Sequence, residues 1–471
     1  MKVLLVAAPR PDSDETAMHM GDGRPPMGLA YVSAYLEKFG HETKIVDLYH
    51  FSPDHERENT SLKATATICH IIRNEKPIDI FQEIEDYQPD FIGMYMGTIS
   101  YYRGTTLMKK IKERYPNIIT MVGGPHAIEL PDTLIDFFDY VVCGEGEITA
   151  LNVVEGRIKE TGIIRGGARV DDINELPLPD FRHFIDKPYN WQLEMFDNDI
   201  KPVITLNSTR GCPFSCMFCG VANTKFRAID ANNLVNYISG LVSKYGAQGI
   251  YFREDNFTVQ PKRVERFCDI LISENINISW ACETRVNNLA PKLIEKMAKA
   301  GCVGLYIGVE SGSERMLKYM RKGESRKDFI EKIPIIHNNG ITSYTTWVYG
   351  LPSETEEDRL MTRKFIDQLN PTTADTFVYL GMPGSDYYNI LNRTKQYELK
   401  EKNGIFYPPG WLALAREVYG EEDPRVHYVT RIYEENKIKP GPADPYHIED
   451  SIYHSLKTTK IRDQLSVKSA Q

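Results

Sequence analysis

The 471-residue chain lacks any apolar run long enough to span a bilayer. Its first residues, Met1 to Pro9, are apolar but lack the h-region and small-residue cleavage site of a signal peptide, so they read as a buried first strand in a cytoplasmic chain. Positive charge is not in excess either. A net charge of −9 excludes a general phosphate-binding face and leaves room only for a local basic pocket. There is no basic or aromatic stripe of the kind that grips RNA, no solenoid repeat and no low-complexity tract. Cysteine is sparse, eight residues in all, and the spacing is not that of a disulfide framework. Three of the eight, Cys212, Cys216 and Cys219, crowd into one short segment, which in a reducing compartment points to metal ligation.

What is present is strand–helix alternation. Val3–Ala7, Thr43–Asp47, Phe91–Met94, Ile118–Val122 and Tyr140–Cys143 are near-continuous apolar runs, as strands of a parallel sheet covered on both faces should be. Pro26–Phe39 reads as a helix, with Leu29, Val32, Leu36 and Phe39 at helical spacing and Gly40 as its stop. Residues 1–160 are therefore expected to form a Rossmann-like, doubly wound sheet of five strands. Ligands of such sheets sit beyond the carboxyl ends of the strands. Those ends carry Gly97-Thr98-Ile99-Ser100, Gly123-Gly124-Pro125-His126 and Gly144-Glu145-Gly146-Glu147. Each is readable as a tight turn alone; the three together suit a flat, bulky ligand.

Residues 161–200, with Leu176-Pro177-Leu178-Pro179, read as a linker. Residues 201–385 resume the alternation with Val203–Leu206, Gly249–Phe252, Ile278–Cys282, Val303–Val309, Ser343–Tyr349 and Thr376–Leu380. Six such units predict a partial parallel barrel, with chemistry at the carboxyl ends of its strands. Residues 386–471 are polar and read as short helices around the turn Tyr407-Pro408-Pro409-Gly410-Trp411. The aromatics Tyr387, Tyr388, Tyr407 and Trp411 read as packing or as a cover for the barrel mouth.

The strongest signal follows the first barrel strand directly: Arg210-Gly211-Cys212-Pro213-Phe214-Ser215-Cys216-Met217-Phe218-Cys219-Gly220. Iron–sulfur clusters generally take four thiolates, so three on one loop leave one iron of a four-iron cluster open, able to chelate an amine and a carboxylate. Structural zinc prefers paired CxxC knuckles or added histidines, and no downstream CxxC or HxxxH occurs. Cys143, Cys282 and Cys302 read as core residues, and no auxiliary cluster is expected.

CxxxCxxC with Phe218 before the last cysteine, on the first loop of a βα barrel, resembles the radical S-adenosylmethionine (SAM) superfamily. The resemblance implies a [4Fe–4S] cluster on Cys212, Cys216 and Cys219, and SAM bound at the open iron and cleaved to a 5′-deoxyadenosyl radical. It also implies SAM contacts: Phe218, Glu254 at the methionine amine, Arg285 at its carboxylate, Glu283 at the ribose, Gly308 and Glu310 at the adenosine, and Leu351 at the adenine. Pro25-Pro26-Met27-Gly28-Leu29-Ala30-Tyr31 and the three glycine loops resemble the cobalamin-binding domain fused to many such enzymes. That implies cobalamin contacts at Thr98, Ser100, Gly123, Gly124, His126, Gly144, Glu145, Gly146 and Glu147. The Asp-x-His-x-x-Gly sequence that ligates cobalt elsewhere is missing; His41 and His126 lack its context, so a non-histidine lower face is implied. The expected activity is cobalamin-dependent C-methylation of a small molecule, lipid or tetrapyrrole, drawing electrons from a flavodoxin or ferredoxin. The alternatives are cyclisation, dehydration, rearrangement or decarboxylation without methyl transfer, and a non-catalytic cobalamin or redox sensor.

Overall fold

The computed structural model describes residues 1–9, 23–51, 78–197, 199–393, 410–435, 439–443 and 448. Cys69 and the Tyr407-Pro408-Pro409 portion of the expected turn lie outside the described residues.

The first sheet contains β1 (Lys2–Ala7), β2 (Glu42–Asp47), β3 (Phe91–Tyr95), β4 (Ile119–Gly123), β5 (Tyr140–Cys143) and β6 (Gly162–Arg165). All pairings are parallel, in the order β2-β1-β3-β4-β5-β6. Six strands replace the expected five. The extra one, β6, lies inside the stretch read as a linker; it is a four-residue edge strand, half exposed, whose short Ile163-Ile164 signal is followed at once by Gly166-Gly167. The helix expected over 26–39 runs Met27–Lys38 and buries Leu29 and Leu36 against the sheet, whereas Phe39 is exposed because the helix ends before it.

The second sheet is also all parallel: β7 (Val203–Leu206), then, after the small antiparallel ladder of β8 (Thr209–Arg210) and β9 (Arg227–Ala228), β10 (Gly249–Phe252), β11 (Ser279–Thr284), β12 (Cys302–Glu310), β13 (Thr342–Tyr349) and β14 (Thr373–Val378). Their order is β14-β13-β12-β11-β10-β7, an open barrel wall of six strands. Alternate residues divide as strand geometry requires. Ile250, Phe252 and Trp280 pack outward with the covering helices, while Tyr251, Ala281 and Tyr344 face the lumen.

The segment between the sheets makes only two 3₁₀ turns, yet it is packed throughout. Phe181, Phe184 and Tyr189 are buried in the main core, and Met195 and Phe196 join the lumen cluster. They reach it because β10 and β12 carry glycine where they approach. A Cβ at Gly249 would stand 3.0 Å from Phe196, and one at Gly304 would stand 3.0 Å from Met195. Past β14, helices Asp386–Arg393, Trp411–Tyr419 and Pro424–Glu435 bury Tyr387, Tyr388 and Trp411 as packing residues. No helix of the described residues is long and apolar enough to cross a membrane.

Candidate cofactor sites

The cysteine loop leaves the carboxyl end of β7 and is closed at its neck by β8 and β9, Arg210 pairing with Arg227. Gly211 turns the chain with φ +82°, and a Cβ there would meet the Lys225 carbonyl oxygen at 2.5 Å, so the bend requires glycine. Inside the loop the Cys212 amide donates to Thr224 Oγ1 at 2.9 Å, and the Thr224 amide returns a 2.9 Å bond to the Cys212 carbonyl. Met217, fully buried, is tied on both sides: its amide donates to the Met320 carbonyl, and its carbonyl accepts from the Tyr387 amide.

Cys212 and Cys216 are buried and Cys219 is partly exposed. Burial pushes the Cys219 thiol up to about 12, with negative charge at Cys216, Asp255 and Cys212 adding to the rise; burial raises Cys212 as well, against a bond from the Phe214 backbone. The three thiols thus sit within electrostatic reach of one another in a pocket that disfavours three free thiolates and calls for positive charge among them. Among the described residues no three His, Cys, Asp or Glu side chains close tightly enough to hold a single ion. The donor set of three sulfurs on one rigid loop fits a cluster with one open corner.

Around the loop the expected SAM residues divide. Arg285 is buried; its Nη1 donates to Cys216 Sγ at 3.3 Å, its guanidinium lies 4.2 Å from the centre of the Phe214 ring, and its Nη2 bonds the Lys322 carbonyl. Glu324, with no side-chain exposure, pairs with Arg285 at 3.4 Å and with Lys322 Nζ at 3.6 Å. Lys322 in turn meets Glu310 at 3.1 Å. Sequence reasoning missed Lys322 and Glu324; the signal was the polar run Arg321-Lys322-Gly323-Glu324 directly after a short helix. Glu310 has φ +71°, and its own carboxylate occupies the space above Gly308, where a Cβ would meet Oε1 at 2.1 Å. Gly308 therefore makes room for the Glu310 carboxylate.

Glu254 is tied into the protein itself. One carboxylate oxygen accepts from the Ser208 amide and the other from Thr209 Oγ1 at 2.5 Å, so the side chain braces the exit of β7. Its neighbour Asp255 opens onto a cavity instead; burial, and then the Glu254 charge, raise its carboxyl, while the Gly211 backbone lowers it. Glu283 accepts from Tyr251 at 2.9 Å in the lumen. Phe218 and Leu351 come together in one apolar cluster with Met217 and Tyr387. Close by, Glu354 accepts from the Gly350 amide at 2.6 Å, and burial pushes its carboxyl up to about 8.

A cavity of about 370 Å³ lies between the first sheet, the Met27–Lys38 helix and the mouth of the second sheet. Gly123, Gly124, Gly144, Glu145, Gly146 and Glu147 line it, and so do Thr209, Arg210, Gly211 and Asp255. A Cβ at Gly123 would stand in open space, so the glycine leaves a cradle that a ligand can fill. The two glutamates do more than line it. Arg210 donates to Glu147 and stands 3.3 Å from Glu145, while Arg227 grips Glu145 with both nitrogens, which clasps the first sheet to the neck of the cysteine loop. Ser100 faces a different cavity. Thr98 and His126 are buried and line neither cavity. His126 stacks on Tyr101 at 4.6 Å, sits 3.0 Å from Thr133 Oγ1, and is pushed down to about 4 by burial. His41 precedes β2, at the opposite edge of the sheet from the strand ends. Neither histidine is placed to ligate a metal at the cavity.

Comparison with known proteins matches residues 206–366 to the radical SAM superfamily and residues 20–154 to the B12 binding domain. An uncharacterized methyltransferase of Pyrococcus horikoshii is 27% identical over 433 residues, covering 87% of this chain and 85% of its own. The anaerobic magnesium-protoporphyrin IX monomethyl ester cyclase of Rubrivivax gelatinosus is 24% identical, covering 86% and 73%. The hopanoid C-3 methylase of Methylococcus capsulatus is 23% identical, covering 84% and 74%. Among solved structures, the radical SAM methyltransferase TsrM of Kitasatospora setae superposes with a TM-score of 0.61 at 14% identity, covering 85% of this chain and 76% of that one. The cobalamin-dependent radical enzyme OxsB superposes with 0.63 at 14% identity, covering 99% and 75%. Those two likenesses show a shared fold.

Proposed function

The chain belongs to the radical SAM enzymes that carry a B12 binding domain, and on that premise we propose that it methylates an unactivated carbon of a small molecule, lipid or tetrapyrrole. Its cofactors are a [4Fe–4S] cluster, SAM and cobalamin. Bound together, these groups supply a carbon-centred radical able to abstract hydrogen and a methyl group to replace it.

The chain's part is to hold and orient. Cys212, Cys216 and Cys219 would hold the cluster. Arg285, planar and fixed by Glu324 and the Lys322 carbonyl, suits a carboxylate beside the open iron, and Asp255 is better presented than Glu254 to an amine there. Phe218, Leu351 and Met217, packed in one apolar cluster, would keep water from the adenine side. Gly123, Gly124, Gly144 and Gly146 would let cobalamin approach the backbone.

One observation carries the reading. A single cavity is bounded both by the glycine ends of β4 and β5 and by Gly211 and Asp255 near Cys212, which supports cofactor sites that adjoin. The names of the hopanoid methylase and the Pyrococcus methyltransferase support methyl transfer. The match to a cyclase of similar coverage supports ring closure without methylation as a second reading. Seven free cysteines among the described residues suit a reducing, cytoplasmic setting with a flavodoxin or ferredoxin as electron donor.

The test is anaerobic reconstitution with cluster, cobalamin and methyl-deuterated SAM, followed by mass spectrometry on candidate substrates. Deoxyadenosine with a trideuteromethyl product is expected. Deoxyadenosine with an unmethylated, rearranged product selects the second reading.

A further inference from the structure

The cysteine loop is bordered by four charged side chains that are all buried: Arg285, Glu310, Lys322 and Glu324. They form one row of ion pairs. Lys322 Nζ stands 3.1 Å from Glu310 and 3.6 Å from Glu324, and Glu324 stands 3.4 Å from Arg285. Beyond Arg285 the row ends at Cys216 Sγ. The turn that carries Lys322 is tied to the loop itself, since the Met320 carbonyl accepts from the amide of Met217, between Cys216 and Cys219. Negative charge at Cys216 is accordingly felt at Lys322.

Buried ion pairs are a poor way to gain stability, because stripping water from the charges costs about as much as pairing returns. The pair of Glu310 and Lys322 is costly in backbone as well. Glu310 stands in the left-handed region, at φ +71°. β12 slips its register against β13 between Gly308 and Glu310, a bulge that re-aims the side chain. A Cβ at Gly308 would strike the Glu310 carboxylate and stand 3.0 Å from Lys322 Nζ, so the strand carries a glycine where the pair lies. Three departures from ordinary strand structure thus converge on one ion pair, where apolar side chains of similar size would serve stability as well. Features that cost stability and gather at one point mark function.

We infer that Lys322 and Glu310 set the reduction potential of the cluster: Lys322 favours the added electron, and Glu310 holds Lys322 in place while offsetting part of its charge. The electron comes from an external one-electron donor, which is oxidised as the cluster is reduced, and no bond forms or breaks. What changes is one unit of negative charge beside Cys216. Buried cations act on such a charge with little screening by salt or water. Hydrogen bonds to the sulfurs and net charge both set a cluster's potential; Arg285 supplies the hydrogen bond and Lys322 the further charge. The inference rests on a cluster at Cys212, Cys216 and Cys219 and not on methyl transfer.

A potentiometric titration of the full chain tests it. The chain is reconstituted with iron and sulfide, SAM is withheld, and the reduced cluster is followed by electron paramagnetic resonance at low temperature. Lys322→Met should lower the midpoint potential, by about tenfold in the one-electron equilibrium or ~59 mV, and Glu310→Gln should raise it. The double variant removes one charge of each sign and should return toward the wild-type value. Glu310→Gln keeps the size of the side chain and leaves Lys322 its Glu324 partner, so it decides the sign should Lys322→Met fail to take up iron. Unmoved potentials, or shifts of one sign in both single variants, overturn the inference, because a merely structural pair would disturb the site without regard to charge. A wild type that takes up iron but gives no reducible signal overturns the cluster at the three cysteines and the inference with it. A normal wild-type titration with unmoved variants overturns the inference alone.

Discussion

Arg285 Nη1 stands 3.3 Å from Cys216 Sγ, so a barrel strand end and the cysteine loop share one buried contact. The contact matters because hydrogen bonds to cluster sulfurs set reduction potential. It also chains Cys216 through Arg285, Glu324 and Lys322 to Glu310. Removing one member leaves the others charged and buried, and such breaks cost about 3–5 kcal/mol. Arg285→Met should therefore lower the unfolding midpoint as well as SAM cleavage. Arg285→Lys should retain more stability but lose planarity, with cleavage down about tenfold or more. Denaturant unfolding and deoxyadenosine quantification measure the two effects.

Cys216→Ala removes a cluster ligand from a loop held by other bonds, notably those of Met217 and Thr224. Deoxyadenosine formation should vanish and iron content fall, while far-ultraviolet circular dichroism stays unchanged. Undiminished cleavage would dismiss Cys216 as a ligand.

Gly211→Ala places a Cβ 2.5 Å from the Lys225 carbonyl at φ +82°. The strain is roughly 1–3 kcal/mol, concentrated at the neck of the loop. Iron stoichiometry after reconstitution should drop in this variant, and by more than in Gly246→Ala, whose Cβ would meet nothing within 4 Å.

How much of this was legible in the sequence follows from what kind of signal each feature leaves. Most strands of both sheets announced themselves as apolar runs because they are buried on two faces; β6, an edge strand with two isoleucines, and the polar, half-buried start of β14 did not. The cysteine spacing was explicit, since its ligands are neighbours in the chain. The roles of Glu145, Glu147 and Glu254 were not, because their partners lie 45 to 82 residues away and the same glutamates suit a ligand, a cap or a clasp.

Glu354 gives a pH signature. Burial raises its carboxyl from 4.5 to about 8, so the folded chain holds a proton there that the unfolded chain has lost. Its contribution is fully present below about pH 4.5 and disappears as pH rises to about 8. Wild-type stability should fall across that window by a few kcal/mol more than that of Glu354→Gln, which stays neutral and can still accept from the Gly350 amide. Parallel urea titrations at several pH values measure the difference, and identical slopes would refute the raised carboxyl.

The clasp between Arg210 and Glu147 makes the two sheets energetically dependent on each other. Glu147 is almost fully buried, with 4% of its side chain exposed, and Arg210 is its partner at the edge of the cofactor cavity. Arg210→Met strands that carboxylate and should cost about 3 kcal/mol, and Glu147→Gln strands the guanidinium less severely because Glu145 stands 3.3 Å from it. The double variant removes both charges and should recover part of the loss, with a coupling of about 1–3 kcal/mol in a double-mutant cycle. Cobalamin retention after desalting should follow the same order, because the pair forms the wall shared by the glycine cradle and the cysteine loop. Additive losses would mean that the pair contributes no coupling, and that the polar clasp rests on Arg227 and Glu145.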